Sequence, residues 1–232
     1  MMTKFKTVLA AAGMTIAAGA TFAAAPAAAQ VNGIATLDGA VAVAGATALQ
    51  TGYNQIQTTY AAQIQQINTL QQQRQGFLQQ LDTDQNGDLS EAEVQAARTA
   101  NSAALQQVTT LDQQLATVQA PIQQARIYVV SQVAEQLSDA LQQVVAARSI
   151  SVVLTPEAIQ YAPAGVDVTQ QVTQALNTRV PSVQTAVPAD WRPSRQVVQL
   201  FQEVQQVLLY ASLQQQAAQA QQGGVTPQPQ GR

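Results

Sequence analysis

Residues 49–81 read LQTGYNQIQTTYAAQIQQINTLQQQRQGFLQQL, and residues 103–147 read AALQQVTTLDQQLATVQAPIQQARIYVVSQVAEQLSDALQQVVAA. In the first stretch Leu49, Tyr53, Ile56, Tyr60, Ile64, Ile67, Leu70, Phe77 and Leu81 recur at steps close to three and four, the narrow apolar stripe of a coiled-coil seam. In the second, Leu105, Val108, Leu111, Leu115, Val118 and Ile122 keep the same spacing, and Val130, Val133, Leu137, Leu141 and Val144 carry it on. A helix with so narrow a stripe cannot bury itself alone. The nearest partner for each stretch is the other, so the pattern predicts an antiparallel helical hairpin over 40–148. With about 40 residues in the shorter arm and a rise of about 1.5 Å per residue, it would project on the order of 60 Å. Pro121 removes a backbone donor inside the second arm and predicts a kink near Val118. Residues 53–81 carry eleven glutamines and a single arginine. Glutamine favours helix and both donates and accepts hydrogen bonds, so the arms' outer faces are wet without selecting a charge sign.

Extended segments flank the hairpin. Val31 to Asp38, bounded by Gly39, reads as a strand. Ala40 to Thr51 is rich in small residues, and Gly45 and Gly52 predict a broken or late helix start. Ser149 to Leu154 is short and β-branched, Thr155-Pro156 punctuates it, and Ala158 to Ala162 would pair back as a further strand. Val168 to Asn177 reads as a short amphipathic helix with Asp167 or Thr169 as its cap. The fold class is therefore mainly α with a small β body (30–39 and 149–178), the hairpin being inserted between short strands. One three-stranded sheet is marginal by itself, so its open edges predict self-association. Thr178 to Arg195 is loop-like, with three prolines and the only tryptophan, Trp191. A last helix over 194–222 carries Val197, Leu200, Phe201, Val204, Leu208 and Leu213, and the tail from Gly223 to Arg232 has the composition of disorder. Residues 179–232 thus form a C-terminal extension.

Lys4 and Lys6 precede an apolar run from Val8 to about Ala25, and Ala27-Ala28-Ala29 offers a cleavage site ahead of Gln30. Residues 1–29 therefore read as a secretory signal peptide, with no stable membrane insertion after its removal. Beyond them eight arginines face thirteen acids, a formal charge of −5, and five of those acids lie between Asp82 and Glu93. Without a basic stripe, nucleic acid is excluded as a partner. The chain has no cysteine and no histidine. That removes the thiol nucleophile and the commonest general base, leaves Ser149, Ser151 and Ser182 nothing to activate them, and argues against an enzyme.

The acidic cluster is more specific than a solvated turn. Asp82-Thr83-Asp84-Gln85-Asn86-Gly87-Asp88-Leu89-Ser90-Glu91-Ala92-Glu93 meets D-x-[DN]-x-[DN]-G-x5-E at every required position and resembles an EF-hand calcium loop. In that geometry Asp82, Asp84 and Asn86 supply side-chain oxygens and Gly87 makes the sharp turn. Asp88 gives its main-chain carbonyl, Ser90 coordinates directly or through water, and Glu93 closes the site with both oxygens. EF-hands usually pair through the position held here by Leu89, and no second loop is present. A single site of modest affinity would suit a compartment where Ca2+ is not scarce.

Two end segments carry a wider resemblance. Gly33-Ile34-Ala35-Thr36-Leu37-Asp38, and Ile150-Ser151-Val152-Val153-Leu154 through Tyr161, Ala162, Asp167-Val168-Thr169 and Ala175-Leu176-Asn177, resemble the opening and closing segments of the Skp/OmpH family of periplasmic chaperones over residues 31–178. The resemblance implies a homotrimer whose pooled strands form a small barrel, with three hairpins enclosing a cavity that holds unfolded outer-membrane proteins without ATP. Three departures stand out: glutamine-rich, slightly acidic arms, a calcium-type loop at the tip, and an extension past the family's usual end. Client contact is therefore expected to be apolar and hydrogen-bonding rather than electrostatic. A secreted, calcium-binding structural or adaptor coiled coil is the alternative.

Overall fold

The β-branched Ile34, Thr36, Val152 and Val153 suit a pleated backbone, and in the computed structural model, which describes residues 33–223, segments 34–36 and 152–154 make the one sheet among the described residues. Strand β1 (Ile34–Thr36) pairs in parallel with β2 (Val152–Leu154), Ile34 opposite Val152, Ala35 opposite Val153 and Thr36 opposite Leu154. Parallel neighbours need a crossover, and here the crossover is the entire hairpin. On its other side β1 meets Asp167 in a single bridge, and Val168 donates its N–H to the Thr36 carbonyl at 3.0 Å.

The strands are shorter than the sequence predicts. Asp38 leaves the sheet to cap the first helix, its Oδ1 accepting from the Val41 N–H. The strand expected over Ala158 to Ala162 does not form. Pro156 pre-sets a 3-10 turn over Pro156–Ala158, in which the Ala158 and Ile159 amides donate to the Thr155 and Pro156 carbonyls. The outer edge of β2 is left open.

Helices α1 (Gly39–Ala44) and α2 (Thr47–Thr59) are separated at Gly45, as the small-residue run predicts, but α2 runs through Gly52 without a break. Glycine there permits close approach rather than ending a helix. A Cβ would stand 2.7 Å from Val183 Cγ2 and 3.0 Å from Val129 Cγ1. Helix α3 (Ala61–Leu81) completes the outgoing arm. The return is α4 (Glu91–Thr99), α5 (Ala103–Ala134) and α6 (Leu137–Arg148), followed by α7 (Thr169–Arg179) and α8 (Arg195–Gly223). Helix α3 packs along α5, α2 on α5, and α6 on α7. Helix α5 continues through Pro121, and the return arm's one interruption between α5 and α6 falls at Glu135-Gln136.

The main core lies at the base of the arms. Val43, Leu49, Ile56, Val129, Val130, Val133, Val168, Val172, Leu176 and Val204 are fully buried in it, drawn from α1, α2, α5, the start of α7 and α8. Polar ties close the body: the Asp38 N–H donates to Thr169 Oγ1 at 3.0 Å, and the Thr47 N–H to Asn177 Oδ1 at 2.8 Å. Asp167 accepts from the Thr169 N–H, so Thr169 anchors the sheet instead of capping its own helix. Two smaller clusters follow along the arms, Leu70 with Leu111 and Leu115, then Leu81 with Ala97 and Val108. Residues 1–29, where a signal peptide is expected, and the tail beyond Gly223 lie outside the described residues.

Candidate functional site

The tip loop starts where α3 stops. Asp82 caps α3, and its carboxylate turns inward: Oδ1 accepts from the Asn86 N–H at 3.2 Å and Oδ2 from the Gly87 N–H at 2.9 Å. Asp84 accepts from the amide and the side-chain nitrogen of Asn86, and Asn86 Oδ1 from the Asp88 N–H at 2.7 Å. Gly87 has φ +89°, a conformation that L side chains rarely adopt, and open space around its Cα. Conformation, not crowding, demands glycine there.

Glu93 draws the ends of the loop together. Its Oε1 accepts from the Thr83 N–H (2.6 Å), Thr83 Oγ1 (2.9 Å) and the Asp84 N–H (3.3 Å). Its Oε2 accepts from the Ser90 N–H and Ser90 Oγ, while Ser90 Oγ accepts from the Glu93 N–H, a complete capping box at the start of α4. Donors from Ser90 first, then Thr83, hold the carboxyl at about 2, far below its ordinary 4.5.

Of the six predicted ligands, three converge: one carboxylate oxygen from each of Asp82, Asp84 and Glu93 lies within 4.8 Å of the others. Oxygens placed about 2.3–2.6 Å from one calcium ion are separated by up to roughly 5 Å, so the spacing fits that cation. Asn86 and Ser90 engage their side-chain oxygens in loop hydrogen bonds, and Asp88 donates its amide to Asn86. Each oxygen of Asp82 and Asp84 accepts one loop hydrogen bond and keeps a lone pair for a cation, whereas Glu93 Oε1 accepts three and Oε2 two, so Glu93 would have to give up loop donors to bind one.

Beneath the loop, Leu89 packs with Phe77, Leu78, Ala104 and Leu105 on Leu81, Ala97 and Val108. The apolar partner that a second loop would supply comes here from α5. The bend is also longer than a single loop. Helix α4 ends in a left-handed residue, Asn101 (φ 46°), and the Ser102 amide reaches back to the Ala97 carbonyl at 2.8 Å before α5 begins. The signal was present in Asn101-Ser102, a residue that tolerates positive φ followed by one suited to helix starts.

Along the arms the apolar stripe is consumed by the hairpin itself. Among the described residues the exposed large apolar side chains are Ile34, Val41, Val152, Tyr161, Leu209, Tyr210 and Leu213, all in the body or on α8. The arms turn outward glutamine, threonine and alanine, crossed by one ion pair, Arg74 Nε to Asp112 Oδ1 at 2.6 Å. No described helix is long and apolar enough to cross a membrane.

A family model for outer membrane proteins (OmpH-like) matches residues 33–176. Among solved structures the chain is similar to a Caulobacter crescentus CB15 protein described as a candidate OmpH-like outer membrane chaperone, with 20% identity and a TM-score of 0.42 over 72% of this chain and 94% of that one. No curated protein matches.

Proposed function

The chain belongs to the OmpH-like family, and from that premise we propose that it is an ATP-independent holdase of the periplasm that shelters unfolded outer-membrane proteins between helical arms. The observation that carries this reading is the hairpin, two arms that satisfy their own apolar seam and present a sparsely charged, glutamine-rich, hydrogen-bonding surface. Many weak contacts from such arms hold a client loosely enough to release it. Self-association into a homotrimer completes the cage. It is supported by the open edge of β2 and by the cross-strand pair Ile34 and Val152, 43% and 46% exposed, which a solitary two-stranded ladder leaves in water. Calcium at Asp82, Asp84 and Glu93, completed by Asn86, Asp88 and Ser90, would neutralise the crowded carboxylates and stiffen the tip.

The test dilutes a urea-denatured outer-membrane β-barrel protein into buffer with and without the processed chain and follows light scattering. Suppression near one trimer per client is expected, and unchanged aggregation at tenfold excess would falsify the holdase. A calcium-binding adaptor that docks folded helices is the second reading. It is favoured by the absence of large exposed apolar side chains on the described arms, and it predicts no suppression. Solution mass distinguishes trimer from monomer, and calorimetry with millimolar calcium tests the loop; absence of heat removes calcium from the reading and leaves the holdase standing.

A further inference from the structure

Residues 180–223 lie outside the stretch that matches the family, yet they cross the base of the hairpin and are built into its core. Val183 stands against Gly52 of α2, on which Val129 of α5 also closes, so that a Cβ at Gly52 would meet both. One residue on, the Gln184 N–H donates to Gln132 Oε1 and Gln132 Nε2 donates to the Gln184 carbonyl, both at 2.8 Å, a reciprocal pair that joins segments 52 residues apart. Trp191 meets the Tyr128 ring edge-on at 5.0 Å. From α8, Val204 is fully buried in the same core cluster as Val43, Leu49 and Val129, and Gln205 Nε2 donates to Tyr53 Oη at 3.0 Å while Arg126 lies over the Tyr53 ring.

The pairs that cross the hairpin give its register. Gly52 faces Val129, Tyr53 faces Arg126, Leu70 faces Leu111 and Leu115, and Arg74 faces Asp112. On that register Tyr60 stands abreast of the turn of α5 that holds Pro121. Both are weak points. The outgoing arm is interrupted at Tyr60 (φ −103°, ψ 22°), between α2 and α3, and Pro121 has no N–H to offer the Thr117 carbonyl one turn back. Every contact of the C-terminal segment named above falls on the body side of this level.

We propose that residues 180–223 are an intramolecular strap that joins the bases of the two arms into one rigid block and confines their bending to the level of Tyr60 and Pro121. Backbone weak points at matched height in paired helices form a hinge only if what lies below cannot move, and the strap supplies that fixed part. Tip and middle of the hairpin then swing together, as a lever whose pivot is set by a segment remote from it in sequence.

The chain has no cysteine, so spin labels can be placed at will. One pair, Gln57→Cys with Gln174→Cys, reports the block; a second, Gln72→Cys with Gln174→Cys, spans the pivot. Labelled full-length chain is mixed with excess unlabelled chain so that only distances within one copy are read. A narrow distribution for the first pair and one about twofold broader for the second are expected. Gln132→Leu with Val183→Ala, which removes the reciprocal pair and trims the wedge, should broaden the first pair, and Pro121→Ala should narrow the second while leaving the first as it was. Equal widths in the unaltered chain, no change at the first pair on releasing the strap, or no change at the second in Pro121→Ala each overturns the proposal. Should the strap-release variant lose helical circular dichroism, the Pro121→Ala arm and the unaltered chain still decide it.

Discussion

The two ends of the hairpin are held by different forces. At the root Leu49, Ile56, Val129 and Val133 are wholly removed from water, sealed by residues from α1, α7 and α8. At the tip a small cluster of three buried residues, Leu81, Ala97 and Val108, sits beneath a loop whose order comes from carboxylates and their donors. Apolar burial is indifferent to pH and salt, whereas a hydrogen-bonded charge cluster responds to both. The root is therefore the permanent part of the arm and the tip the conditional part.

The sharpest way to break that contrast is to remove equal chemistry from both ends. Leu49→Ala leaves a cavity in the sealed core and is expected to cost about 2–5 kcal/mol, read as a lower denaturant midpoint for the whole chain. Leu81→Ala removes the same atoms from a small satellite cluster. Its effect should appear mainly as faster hydrogen exchange in α4, with less than half the midpoint shift. Equal global shifts would mean that root and tip unfold as one unit.

The second test strikes only the tip. Glu93→Gln replaces an oxygen that accepts from Thr83 or Ser90 by a donor and takes away the carboxylate proposed to clasp calcium. The heat of calcium addition should vanish and the amides of α4 lose protection, while the main unfolding transition stays in place. Acid should do the same reversibly. The Glu93 carboxyl titrates at about 2 in the fold against 4.5 ordinarily, so its contribution is complete above about pH 4.5 and is lost as pH falls toward 2. Exchange rates at Thr83 and Ser90 followed from pH 5 to pH 2 would show the tip loosening first; simultaneous loss at Val129 would refute the division.

Tyr53 gives the matching probe at the root, with a smaller effect. Burial pushes its phenol up to about 12 despite the nearby Arg126 and the Gln205 hydrogen bond. A raised folded-state value means that this stability is fully present below about pH 10 and is lost as pH climbs from 10 to 12. Tyr53→Phe should remove that alkaline sensitivity and cost about 0.5–1.5 kcal/mol, because it orphans the Gln205 amide while keeping the ring under Arg126.

What the sequence discloses follows from distance along the chain. The arms and the tip loop are legible because their information is local: a stripe repeating every three to four residues, and twelve consecutive residues whose donors and acceptors serve one another. The family resemblance, read from Gly33 to Asp38 and from Ile150 to Asn177, rests on two short segments with fixed order. The strand expected over Ala158 to Ala162 does not form because so short a stretch has too little pattern to choose its partner; Pro156 sets Ala158 into a 3-10 turn, and Asp167 takes the place beside β1. Gly52 reads as a breaker in sequence and is a contact surface in space, since Val129 and Val183, both far along the chain, give it that meaning. The pairing of Gln184 with Gln132 is equally silent in a chain full of glutamines.

The smallest expected effect tests the middle of the arm, where root and tip meet. Arg74 and Asp112 form one ion pair across the seam, but their side chains are 38% and 49% exposed. Water screens the attraction and ordering both side chains opposes it, so Arg74→Gln should lower stability by no more than about 1 kcal/mol, and by less at high salt. The pair serves register more than energy. A slip of α3 against α5 would separate the two charges and move Leu70 off Leu111 and Leu115, so apolar packing and charge favour the same alignment. A double-mutant cycle of Arg74→Gln with Leu70→Ala measures whether they act together. Coupling within a few tenths of a kcal/mol of zero is expected if the leucines alone hold the alignment, and coupling near 1 kcal/mol would move the boundary of the conditional part down from the tip to this level.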